Sequence, residues 1–117
     1  MPSIVLTPDN LRAAYDLLRR IAFDNDHNLP PGKYVRFIVQ KLKAHGYYDY
    51  TRKRHTIWID RSDTKTWTLA MRTLAHEMVH LARRDHVLNT DEEAHDKLFQ
   101  EAARAVEIRM GWPKNSV

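Results

Sequence analysis

Between about Thr64 and Ala82 apolar residues recur at helical spacing, and inside that run stands His76-Glu77-Met78-Val79-His80. No other stretch restricts the fold as much. Trp67, Ala70, Met71, Leu74, Ala75, Met78, Leu81 and Ala82 form the stripe of a long amphipathic helix, with Ser62 or Asp63 as its cap. Histidines at i and i+4 project from one helix face roughly 6 Å apart, near enough for two imidazole nitrogens to meet one ion. Glu77 lies about 100° around the helix from His76, placed to reach a water on that ion rather than to join the ligands. The pattern predicts a zinc site (Zn2+) with ligands His76 and His80 and with Glu77 as general base. The metal makes water acidic, and Glu77 takes its proton and passes it to the leaving amine of a cleaved amide.

The chain has no cysteine, which excludes disulfides, cysteine-rich zinc fingers and thiol nucleophiles and leaves only nitrogen and oxygen ligands. A catalytic zinc takes three protein ligands. His86 completes an H-E-x-x-H-x-x-x-x-x-H spacing, but Arg83 stands where metzincins have the glycine that permits the return turn. His95 fits better, because on a final helix from Asp91 to about Met110 it shares an inward face with Phe99, Ala102 and Val106. An acid such as Glu92, Glu93 or Glu101 is the third option.

The remaining pattern describes one α+β domain spanning residues 1–117. Leu11, Ala14, Tyr15, Leu18, Ile21 and Ala22 predict an amphipathic first helix from Thr7 to about Phe23, capped by Thr7 with Pro8 in its first position. Tyr34, Val35, Ile38 and Leu42 suit a helix from Lys33 to His45 ending at Gly46, although Tyr34 to Val39 alone would also suit a strand. Tyr47–Tyr50 and His55–Asp60 read as the two strands of a hairpin. Thr90-Asp91-Glu92-Glu93 has the form of a capping box opening the last helix, and Gly111 and Pro113 close it. No leader-like segment or membrane-length apolar run is present, so the sequence reads as soluble and cytoplasmic, with no membrane partner.

These features resemble the SprT-like zinc metallopeptidases, the group of the Spartan proteases that act on DNA-bound proteins. The resemblance rests on a strand ending near Asp60, the helix with His76-Glu77-Met78-Val79-His80, and His95-Asp96-Lys97-Leu98-Phe99, which is similar to the family's His-Gly-x-x-Phe segment with Asp96 at the glycine. It implies a small zincin-type α+β domain: an amphipathic N-terminal helix, a short β-hairpin or sheet, the H-E-x-x-H helix and a C-terminal helix carrying the third ligand. The implied ligands are His76, His80 and His95, with Glu77 catalytic in hydrolysing a protein substrate. The ImmA/IrrE-like peptidases also pair such a helix with a later acidic one, and there Glu92 or Glu93 would take the place of His95.

The net charge of +4 is uneven: residues 33–61 hold eight Lys or Arg against two acids. Zincin folds accept substrate as an added strand on a sheet edge, and His55–Asp60 is the expected edge. Beside it Tyr48, Tyr50, Arg52, Lys53 and Arg54 mix rings with cations, a composition that suits contact with DNA. A zinc-stabilised nucleic-acid- or protein-binding module without turnover is the alternative reading of the same residues.

Overall fold

The helix around the paired histidines, α2, runs from Trp67 to Ala82 in a computed structural model that describes residues 5–62, 66–83 and 97–117. Its cap is Thr66, whose hydroxyl accepts from the Leu69 amide, in place of the expected Ser62 or Asp63. Ser62 instead donates to the Asp60 carboxylate, and Asp63 lies outside the described residues. Ala70, Leu74, Ala75, Met78, Val79 and Leu81 are buried, so α2 is the central helix of the core; Trp67, expected in the stripe, is 40% exposed at the first turn.

The first helix, α1 (Pro8–Ile21), forms as predicted. Thr7 Oγ1 accepts from the Asn10 amide at 3.1 Å while Asn10 Oδ1 accepts from the Thr7 amide at 2.9 Å, satisfying two amide donors at the helix start. Leu11, Tyr15 and Leu18 turn inward. The last helix, α3 (Lys97–Met110), buries Phe99, Ala103 and Val106 and stops at Gly111, whose φ of +70° is the left-handed conformation that ends a helix. The expected capping box at Thr90–Glu93 lies outside the described residues.

The predicted helix from Lys33 to His45 does not form. After a short 3-10 turn (Gly32–Tyr34) comes strand β1 (Val35–Gln40), then β2 (Gly46–Thr51) and β3 (Arg54–Asp60). The deciding period is two: Val35 and Phe37 are buried and Arg36 is exposed between them. Tertiary pairing overrides the helical spacing, because β1 lies parallel to β3 with Phe37 opposite Ile57 and Val39 opposite Ile59.

The predicted hairpin is present as β2 and β3, antiparallel from Thr51↔Arg54 to Gly46↔Ile59. The order is β1-β3-β2. His55–Asp60 is therefore the middle of the sheet and not its edge; the edges are β1 and β2. Val35, Phe37, Ile57 and Ile59 share one face and join the core with residues of α1, α2 and α3. The sheet thus has a helix-covered face and an opposite face carrying Arg36, Tyr47, Arg54 and Trp58.

Candidate metal centre

One helical turn sets His76 and His80 side by side on α2, their ring centroids 5.0 Å apart at 75°. Both are half-buried. Phe99 of α3 packs against the pair, its centroid 5.0 Å from His76 and 4.6 Å from His80. A rigid ring in contact with both imidazoles restricts their rotation.

Glu77 is only 5% exposed, and desolvation pushes its carboxyl up from 4.5 to about 8. Among the described residues it has no hydrogen-bond or ion-pair partner. An unpaired buried carboxylate is costly, and a neighbouring cation offsets that cost. Two half-buried imidazoles and a buried acid that has no counter-charge among the described residues are chemically suited to a cation.

Gly46, at the start of β2, lies close to Glu77. A Cβ there would lie 3.0 Å from Oε2 of Glu77 and 3.0 Å from Cγ2 of Thr73. The sequence offered Gly46 only as a helix stop, so its role beside the carboxylate was missed.

Among the described residues no third His, Asp or Glu joins His76 and His80 in a metal-ligating group. His95, His86, Glu92 and Glu93 lie outside the described residues. Glu101, the remaining candidate acid, is exposed and faces Lys97 Nζ at 4.0 Å.

The residues read as a nucleic-acid surface do not form one surface. Tyr48 packs toward the core and its hydroxyl hydrogen-bonds with His55 Nδ1 at 2.8 Å, while the Tyr50 ring lies 4.6 Å from His55. Both lie on the helix-covered side by register; Arg52 and Lys53 form the hairpin turn, and Arg54 belongs to the opposite face.

Among the described residues, three strands with helices packed on one side, and paired imidazoles on the central helix next to a desolvated acid, define a small α+β protein built around a candidate metal helix. The chain belongs to the SprT-like family, whose family model matches residues 11–116. No curated protein and no solved structure matches it. No helix among the described residues is long and apolar enough to cross a membrane.

Proposed function

We propose that this protein is a zinc-dependent metallopeptidase that hydrolyses peptide bonds of a protein substrate. The observation that carries the reading is Glu77, buried and without a partner among the described residues, next to the first of two adjacent imidazoles. When bound, zinc supplies a Lewis acid that polarises the amide carbonyl and makes water nucleophilic near neutral pH. His76 and His80 would hold it, with His95 as the third ligand. The contact of Phe99 with both imidazoles supports His95, which stands four residues before Phe99 in the sequence. Glu77 removes the proton from the attacking water and returns it to the departing nitrogen.

Substrate enters as an extra strand along β2, the edge strand whose Gly46 borders Glu77. A glycine there leaves the space that a scissile bond beside the carboxylate requires.

Glu77→Gln tests the reading. It should keep the zinc content of the wild type and lower the rate of cleavage of a denatured protein substrate by about 100-fold or more. Turnover that survives the substitution contradicts the general-base role. Bound zinc with no turnover in either protein would leave the binding module as the correct reading.

A further inference from the structure

Arg72 of α2 is a half-buried cation without an anion. Its Nε is the one buried side-chain nitrogen or oxygen among the described residues that lacks a hydrogen-bond partner, and no described carboxylate lies within ion-pair distance of it. Only Nε is sealed off, so the two terminal nitrogens stay open to an incoming group. The ring of Trp112, which follows α3, lies 5.9 Å from the guanidinium carbon and is packed against the core. The Trp112 amide donates to the Glu107 carbonyl at 2.8 Å, so the indole is anchored at the helix end. An aromatic surface thus supports the charge where a carboxylate would otherwise neutralise it.

Arg72 stands one turn before His76 and two before His80. Steps of four residues turn an α-helix by only about 40°, so the guanidinium and the imidazoles belong to one side of α2. The Cβ atoms of Arg72 and His76 are therefore roughly 6 Å apart. Helical side chains lean toward the N-terminus, which carries the guanidinium away from the imidazoles. Its full reach from them is roughly 10 Å, about three residues of extended chain. Glu77 is five residues on, about 140° around the helix, and faces Gly46, so Arg72 is not its counter-charge.

We propose that Arg72 determines the specificity of the site by binding a carboxylate of the substrate, an acidic side chain or the C-terminal carboxylate, about three residues or fewer from the scissile bond. The assignment rests on the peptidase reading. A peptide main chain carries no net charge, so a lone cation beside its path discriminates among side chains and chain ends. The two terminal nitrogens of a guanidinium match the two oxygens of a carboxylate, and the indole holds the fork in place before the substrate arrives.

The test measures binding without cleavage. Zinc-loaded Glu77→Gln protein is titrated, by fluorescence anisotropy, against labelled peptides of about eight Ala, Ser and Gly residues. One has a central Glu and an amidated C-terminus, one is neutral with a free C-terminus, and one is neutral and amidated. One of the carboxylate peptides should bind at least about 10-fold more tightly than the neutral amidated peptide, and the one that does so identifies the source of the carboxylate. Adding Arg72→Gln should bring all three to the affinity of the neutral peptide, while Arg72→Lys should keep part of the advantage. Thermal melts check that each variant is folded, and Arg72→Met, which keeps the packed stem, replaces Arg72→Gln if that one does not fold. Equal affinity for all three peptides, a preference that survives Arg72→Gln, or a uniform loss of affinity in that variant would overturn the proposal. Cleavage of denatured casein by the wild type is followed in parallel. Cleavage without a carboxylate preference sinks the Arg72 assignment alone, and a carboxylate preference without cleavage sinks the peptidase reading alone.

Discussion

A Cβ atom built on Gly46 lies 3.0 Å from Oε2 of Glu77, so the edge of β2 and the buried carboxylate share one small space. The same Cβ would meet Thr73 Cγ2 at 3.0 Å and the Trp58 carbonyl oxygen at 3.1 Å, which leaves the carboxylate as the group free to yield. Gly46→Ala should therefore displace Glu77 by a fraction of an ångström to an ångström. The expected result is a kcat lower by about 10- to 100-fold with zinc content unchanged, because small misplacement of a reacting group is expensive in rate and not in metal affinity. Steady-state kinetics alongside metal analysis would check it, and an unaltered kcat would dissociate the strand edge from the chemistry.

Phe99 supports both imidazoles and is 1% exposed. Phe99→Ala opens a cavity between α2 and α3 and should destabilise the metal-free protein by about 3–5 kcal/mol, measured by urea unfolding. Phe99→Leu fills most of that space and should recover most of the loss. Zinc affinity should follow the same order, since the rings lose their backing together with the core.

Asp60, at the end of β3, ties together the segments that follow β1 and precede β2. It accepts from the Ser62 hydroxyl and from the Leu42 amide at 2.9 Å, while the Asp60 amide donates to the His45 carbonyl at 2.7 Å. The Ser62 hydroxyl first, and the Leu42 amide next, hold its carboxyl below the ordinary value of 3.8. A lowered folded value means that ionisation favours the folded state. This contribution is complete above the unfolded value and disappears as pH falls through the folded one. Asp60→Asn should lower the Tm at neutral pH, and the gap to the wild type should close on acidification below about pH 3.8. A gap that stays constant into that range would contradict the carboxylate's role.

The hairpin turns on Arg52 and Lys53, both left-handed with φ of 54° and 62°. Side chains at such positions are strained, and two-residue hairpins favour Asn-Gly there. Lys53→Gly should raise stability by about 0.5–1 kcal/mol in thermal or urea unfolding, net of the extra freedom that glycine gives the unfolded chain.

Which parts of the fold were legible follows from how local their causes are. Thr7 and Pro8 start α1 through contacts within one turn, and Gly111 ends α3 by its own backbone, so both boundaries could be read directly. His76, Glu77 and His80 were legible because helical spacing alone makes neighbours of the histidines. The region from Lys33 to His45 was misread because Val35, Ile38 and Leu42 satisfy a helical period while Val35 and Phe37 satisfy a strand period, and the choice is made by pairing with β3, some twenty residues on. The same non-local pairing turned His55–Asp60 from an expected edge into the centre of the sheet. Gly46 was invisible as a site residue since nothing near it in sequence points to Glu77. Arg72 and Trp112 likewise become neighbours only when α2 and α3 are brought together.

In the proposed peptidase, His76 and His80 would hold a zinc that Glu77 uses to hydrolyse a peptide bond. The most direct test is to strip the purified protein of metal, restore zinc stepwise and follow cleavage of a denatured protein substrate. No cleavage is expected without metal, and activity should rise and level off near one zinc per chain, with His80→Ala inactive throughout. Cleavage by the metal-free protein, or full zinc occupancy without any cleavage, would contradict the proposed function.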